Sequence, residues 1–198
     1  MPATQRIPTI TQKQVASFLS TRPRDSHKGK FGTVAVIGGA SGMVGAPLLA
    51  ARATLKLGAG CVHVGMLADN APSVDILQPE LMLHNAQTAL RLPKLDVLAI
   101  GCGMGHDDVA HKIMQDALKL DTVLVLDADA LNILALRPDL RTVLLSRKDD
   151  SVITPHPGEA ARLLGCKTEE VQTARSEAAQ ELAKRFNSAV VLKGAHSL

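Results

Sequence analysis

Five side chains in the second half of the chain could bind an anion, hold a metal through water or move a proton: Asp127, Asp129, His156, Glu159 and Lys193. Each stands just past an apolar run. Asp127 and Asp129 follow residues 122–126, His156 and Glu159 follow 151–153, and Lys193 follows 189–192. Two glycine clusters stand in the same relation to earlier runs. Gly38-Gly39-Ala40-Ser41-Gly42-Met43-Val44-Gly45-Ala46-Pro47 follows 33–37, and Gly101-Cys102-Gly103-Met104-Gly105 follows 93–100. Glycine lets backbone come close to a bulky ligand, and a helix starting behind it turns unpaired N–H groups toward an anion. Backbone donors, a cation for phosphate oxygens and carboxylates that reach Mg2+ through water are the parts phosphoryl transfer needs.

Each part also has a plainer reading. The first cluster is neither G-x-G-x-x-G nor G-x-x-x-x-G-K-[ST], so its spacing equally fits a tight strand-to-helix turn. Asp127 and Asp129 fit the turn and N-cap of a helix over 130–136. His156 lies between two prolines on a rigid turn, which suits contact with a ligand; the alternative is a cap on a neighbouring helix. Lys193 fits a surface lysine beside a turn as well as a phosphate contact. The sequence contains no G-x-S-x-G, which removes the usual serine hydrolase arrangement.

The elements that must position these residues alternate along the chain. Strands are expected over 33–37, 61–66, 93–100, 122–126, 151–153 and 189–192, with a short one over 80–83. A helix is expected over 48–55, stopped by Gly58-Ala59-Gly60. Another begins at Asp107 and Asp108, with Val109, Ile113, Ala117 and Leu120 as its apolar side. A long one is capped by Thr168, with Val171, Ala174, Ala178, Leu182 and Phe186 as its buried stripe. Thr11 is read as the cap of a short helix reaching Ser20, with Val15, Phe18 and Leu19 inward. His63 reads as a packed or edge histidine. Most strands are apolar throughout, which predicts a parallel sheet covered on both faces. Ligands of such sheets lie beyond the C-terminal ends of the strands, where the five side chains and both glycine clusters all fall. The basic stretch 22–32, which feeds the first strand, reads as a solvated connector or a phosphate clamp, the connector being favoured.

Bulk properties narrow the class. The chain has 198 residues, 46% hydrophobic and 21% charged, which suits one substantial α/β domain. With three Phe, no Tyr or Trp and a net charge of +3, it lacks the aromatic platform and basic stripe of a nucleic-acid binder. The three cysteines, Cys61, Cys102 and Cys166, form no C-x-x-C pair and read as buried or half-buried thiols. No stretch has the length of a signal peptide core or a membrane span, so a cytoplasmic protein with no membrane partner is expected.

Six motifs occur in order: H-K-G-K-F-G at 27–32, G-G-A-S-G-M-V-G-A-P at 38–47, G-C-G-M-G at 101–105, D-A-D-A-L-N at 127–132, T-P-H-P-G-E at 154–159 and L-K-G-A at 192–195. Together they closely resemble the ADP/ATP-dependent NAD(P)H-hydrate dehydratases. The resemblance implies an α/β protein with a three-layer α/β/α ribokinase-like fold and a mainly parallel central sheet. It places an N-terminal arm and short helix at 1–21 and the dehydratase domain at 22–198. The family returns NADHX and NADPHX, the hydrated forms of the reduced nicotinamide cofactors, to NADH and NADPH. A nucleotide phosphorylates the ring hydroxyl and phosphate then leaves. Mg2+ and ADP or ATP are implied, with ADP favoured. A homo-oligomer (a tetramer in related enzymes) and an NAD(P)HX epimerase partner are implied as well.

Carried over by position, Ala46, Gly103 and His156 would bind the hydrated nicotinamide. Lys193, Gly194, Ala195, His196 and Ser197 would bind the nucleotide phosphates, with Ser197 standing where Thr is common. Glu159 would lie near hydrated Mg2+, and Asp127, Asp129 and Asn132 stand as further site residues, none of them a direct metal ligand. The family's catalytic aspartate, in a G-[ST]-G-D turn, has no match in this sequence. The expectation is therefore a domain incomplete at its C-terminus, with no catalytic base assigned. The alternatives are a chain that binds nucleotide or NADPHX without chemistry, and a small-molecule kinase of the same superfamily.

Overall fold

The computed structural model describes residues 8–19 and 21–198. Ahead of the domain, α1 (Gln12–Ala16) is closed by a capping box between Thr11 and Gln14, as the threonine suggests. It stops well short of Ser20, which lies outside the described residues, as do residues 1–7. Its expected inward side is turned out: Val15, Phe18 and Leu19 are all exposed. A helix of five residues followed by a turn is too short to carry an apolar face to the sheet.

The chain then runs β1 (Thr33–Gly38), α2 (Gly45–Lys56), β2 (Cys61–Met66), β3 (Met82–Asn85), α3 (Ala86–Leu90) and β4 (Val97–Cys102). It continues with α4 (Asp108–Ala117), β5 (Val123–Leu126), α5 (Asp129–Leu136), α6 (Pro138–Leu145), β6 (Ser151–Ile153), α7 (Pro157–Leu164), α8 (Thr168–Thr173), α9 (Arg175–Phe186) and β7 (Ala189–Val190). All strands are parallel, in the order β3-β2-β1-β4-β5-β6-β7. From β1 the chain winds outward through β2 and β3, then returns to the other flank of β1 as β4. The crevice between β1 and β4 is the place where such a sheet binds ligands. The register shifts between Ile37 and Gly38, where β4 carries one extra residue, Gly101, and bulges against β1.

The core follows the strand alternation. Ala35, Ile37, Leu98, Ile100, Leu124 and Leu126 belong to one buried cluster with the later helices. Val36, Val62, Val64 and Met66 belong to another, with Ala51 of α2. On β5, Val123 and Val125 are only partly buried, so cover on that side is thinner than uniformly apolar strands predict.

Several local expectations shift. The apolar side of α4 is Ala110, Ile113, Met114 and Ala117, while Val109 is exposed, because Asp107 caps the helix and sets its rotation. Residues 168–186 form two helices, α8 and α9, broken at Ala174 (φ −128°, ψ 52°). The N-cap is Lys167, not Thr168, and Glu170 accepts its backbone N–H at 2.7 Å. Cys61 and Cys102 are half-buried as expected, but Cys166 is exposed just after α7 ends at Gly165.

Candidate active site

Both glycine clusters meet at the β1/β4 crevice. Gly39 donates its N–H to the Cys102 carbonyl at 3.0 Å, and Ala40 donates to the Gly103 carbonyl at 2.7 Å. Gly103 has φ +60°, and a Cβ there would stand 2.8 Å from Met43 Cβ and 3.5 Å from Ala46 Cβ. No larger residue fits, so the two loops interlock and Ala46 lies against Gly103. Ala46 is in the first turn of α2, whose leading N–H groups face the crevice end of the sheet. Burial, and next the Asp127 carboxylate, push the Cys102 thiol up from its ordinary value, which keeps it protonated.

The loop after β4 is tied to the loop after β5. Asp129 accepts the Gly105 N–H at 2.9 Å, and its other oxygen lies 3.1 Å from His106 Nε2 and 3.3 Å from Asn132 Nδ2. Asn132 Oδ1 in turn accepts from Arg162 Nη1 at 2.9 Å. Asp129 is the first residue of α5 rather than its cap; the cap position is Ala128, at φ 48° and ψ −117°. That backbone is strained for a residue with a Cβ. The turn aims its two aspartates apart: Asp129 reaches the β4 loop, and Asp127 turns to Lys193.

Lys193 joins the last part of the edge. Its Nζ is 2.5 Å from Asp127 Oδ1 and 3.9 Å from Glu159 Oε2. Its backbone N–H goes to the Pro155 carbonyl at 2.8 Å, which docks the segment after β7 against the T-P-H-P-G-E turn. Every residue type in that turn has a local cause. Thr154 donates its N–H to Leu126. His156 is the N-cap of α7, its Nδ1 accepting from the Gly158 N–H at 3.0 Å and the Glu159 N–H at 3.4 Å. Pro157 fills N1, where no N–H is needed. A Cβ on Gly158 would sit 2.9 Å from the imidazole. Glu159 closes the box, accepting the His156 N–H at 2.8 Å.

His156 is therefore a cap of its own helix. With Nδ1 accepting, the proton of a neutral ring is on Nε2, which lies 3.3 Å from Glu159 Oε1. The ring is half exposed while Nε2 faces Glu159, which leaves part of the ring surface accessible. Glu159 is 5% exposed and already takes two contacts from His156. Among the described residues no group of three or more His, Cys, Asp or Glu could hold a metal ion directly.

The structure thus gathers Ala46, Gly103, Asp129, Asn132, Asp127, Glu159, His156 and Lys193 along one edge, with Asp129 tied to the β4 loop through Gly105 and Lys193 joining Asp127 to Glu159. Gly194, Ala195, His196 and Ser197 form an exposed turn at its end. The H-K-G-K-F-G segment lies at the other edge. The Gly60 N–H reaches the Phe31 carbonyl at 3.0 Å, and a Cβ at Gly60 would strike the Lys28 carbonyl. It enters β1, so in a parallel sheet it cannot clamp a phosphate at the C-terminal ends; it is a connector. Sequence reasoning missed His106, Arg162 and Arg175 as neighbours of the edge. His106 was signalled by its place directly after G-C-G-M-G, and Arg162 by its place on α7 after Glu159. Arg175 had no signal.

The NAD(P)H-hydrate dehydratase family matches residues 34–198. The chain is 42% identical over 190 residues to a bifunctional NAD(P)H-hydrate repair enzyme of Coxiella burnetii, covering 94% of this chain and 38% of that protein. It is 42% identical over 180 residues to an ADP-dependent (S)-NAD(P)H-hydrate dehydratase of Neisseria meningitidis, covering 89% of this chain and 60% of that one. The chain thus spans less than two thirds of either relative's length. Among solved structures, the ADP/ATP-dependent NAD(P)H-hydrate dehydratase of Bacillus subtilis co-crystallised with ATP/Mg2+ superposes with a TM-score of 0.84 at 30% identity, over 98% of this chain and 69% of that one. The fold is the ribokinase-like one that the motifs imply. With five-sixths of its residues inside the family match and its motifs gathered on one sheet edge, the chain belongs to the NAD(P)H-hydrate dehydratase family.

Proposed function

We propose that this protein restores NADH and NADPH from NADHX and NADPHX, using a nucleotide as phosphoryl donor, ADP in preference to ATP. The observation that carries the reading is the contact between Lys193 and the Asp127/Glu159 pair, placed on the same sheet edge as the Ala46/Gly103 crevice. A two-substrate reaction needs two adjoining sites, and this edge offers one bounded by glycine backbone and one bearing a cation. In this reading Ala46, Gly103 and His156 bind the hydrated nicotinamide ring. The segment Lys193–Ser197 binds the nucleotide phosphates. Asp127 and Glu159 are the residues that would hold Mg2+ through water, where it would supply neutralisation of phosphate charge; Asp129 and Asn132 keep the β4 loop in place. Hydroxide is a poor leaving group, and phosphorylating the ring hydroxyl makes it a good one. No residue of this chain is assigned as the base for that hydroxyl. The names of the relatives, an ADP-dependent dehydratase and a bifunctional repair enzyme, support the substrates and an epimerase as companion activity. A cytoplasmic homo-oligomer, and a domain boundary at residue 22, complete the proposal; no helix among the described residues is long and apolar enough to cross a membrane.

The test is direct. NADHX with Mg2+ and ADP or ATP is added to the purified protein, and the return of NADH absorbance is followed. Nucleotide-dependent recovery is expected, faster with ADP. Tight binding of NADHX and nucleotide without recovery would instead make this a binding protein. Phosphate transfer to a sugar or vitamin alcohol, with NADHX untouched, would make it a kinase.

A further inference from the structure

Arg175 opens α9 just after the break at Ala174, and its guanidinium points into the segment that follows β7. Nη2 donates to the carbonyls of Leu192 at 3.1 Å, Lys193 at 3.3 Å and His196 at 2.9 Å, and Nη1 lies 3.4 Å from the Lys193 carbonyl. A Cβ on Gly194 would stand 2.9 Å from both terminal nitrogens, so only glycine lets the guanidinium lie against the backbone there. The Gly194 carbonyl is taken by Ser197 Oγ at 3.3 Å. Four carbonyls of the turn are therefore occupied from within the chain. Its N–H groups are not: among the described residues, those of Gly194, Ala195, His196 and Ser197 have no intrachain acceptor. A run of backbone N–H groups with its carbonyls drawn off is the arrangement that receives an anion.

We propose that Arg175 is the positioning residue of the phosphate-binding turn: it holds the carbonyls of Leu192, Lys193 and His196 away so that the N–H groups of 194–197 and Lys193 Nζ together receive the nucleotide phosphates. This rests on the reading of Lys193–Ser197 as the nucleotide segment. Arg175 touches no phosphate itself.

The experiment measures displacement of a fluorescent ADP analogue by ADP and by adenosine, in wild type, Arg175→Ala, Arg175→Lys, Gly194→Ala and the Arg175→Ala/Gly194→Ala pair, with a thermal melt of each. Arg175→Ala is expected to weaken ADP about tenfold or more, the loss of a charged hydrogen-bonding hub, and to leave adenosine unchanged. Arg175→Lys, which keeps the charge but not the fork, falls between. Gly194→Ala reproduces the loss, and adding it to Arg175→Ala costs nothing further. Should Arg175→Ala melt without cooperativity, Arg175→Lys and Gly194→Ala decide by the same readouts. ADP bound by Arg175→Ala as by wild type, equal losses for ADP and adenosine, or additive losses in the pair would each overturn the proposal while leaving the nucleotide reading intact. Wild type that binds no ADP analogue at all would overturn both.

Discussion

Two arginines in this molecule use the same device at opposite edges of one sheet. Arg147, between α6 and β6, donates to the carbonyls of Leu118 and Leu120, each at 2.7 Å, and to that of Thr122. Arg175 donates to the carbonyls of Leu192, Lys193 and His196. The difference lies in the N–H groups of the clamped segments. In the loop before β5 they are already used: Leu118 N–H goes to Met114, Lys119 to Asp116, Leu120 to Ala117 and Thr122 to Leu120. Within 118–122 only the Asp121 N–H has no intrachain acceptor among the described residues, and the clamp closes the floor of the fold. In the turn after β7 they are left over, and the clamp prepares a site. A hydrogen-bond census of one side chain does not separate stability from function; a census of what that side chain leaves unpaired does.

The largest effect that would sharpen this contrast is on stability. Arg147→Ala removes three hydrogen bonds to loop carbonyls and is expected to cost about 2–3 kcal/mol in urea denaturation, with ADP affinity of the folded protein unchanged. A loss of ADP affinity at constant stability would break the comparison. Lys193→Ala should do the reverse. It removes the cation facing the phosphates and abolishes measurable ADP binding, yet the part-exposed ion pair with Asp127 is worth about 1 kcal/mol or less to the fold.

A smaller effect concerns strain, which also sorts by edge. Asn187, before β7, has φ 46° and ψ 49°, an ordinary helix-ending conformation. Ala128, on the site edge, has φ 48° and ψ −117°, which costs an alanine but not a glycine. Ala128→Gly is expected to raise stability by about 1 kcal/mol, read from the urea midpoint, and to slow turnover as Asp127 and Asp129 lose their fixed directions. An unchanged or lowered midpoint would show that the turn is not strained.

The smallest effect tests the far flank, where His63 and His84 of neighbouring strands share a contact of 2.9 Å between Nδ1 and Nε2. Burial first, then His84 and Lys28, hold the His63 pKa below its ordinary 6.5. The unfolded chain therefore binds more protons, and stability falls as pH drops below that ordinary value. His63→Asn should flatten the fall between neutral and mildly acidic pH, measured by melts across that range. An equally steep fall in the variant would assign it elsewhere.

Much of the site was legible because a parallel sheet sends every strand's C-terminal end to one edge. Polar residues placed just after apolar runs, such as Asp127 and Lys193, 66 positions apart, had to converge. The same rule sets H-K-G-K-F-G at the opposite edge. What stayed hidden depends on geometry that one-dimensional patterns do not carry. The apolar stripe through Val171, Ala178, Leu182 and Phe186 continues across Ala174 without a glycine or proline, so the break that aims Arg175 leaves no mark. A cap on a neighbouring helix was one reading of His156; that it caps its own was hidden for another reason: histidine is an unusual N-cap, and only Gly158 beside it, with room for a ring, marks the capping box. The short helix α1 shows the opposite failure, its cap read correctly and its apolar side turned to solvent.

The measurement that tests the central claim most directly is amide hydrogen exchange with and without ADP and, separately, NADHX. The account predicts that ADP slows exchange at residues 194–197, where the N–H groups have no intrachain acceptor, and leaves 118–122 unchanged. NADHX should slow exchange in the interlocked loops at 39–46 and 101–105. Protection by ADP at 118–122, or at the 27–32 connector, with none at 194–197 would contradict the assignment of the nucleotide site and of the edge built around it.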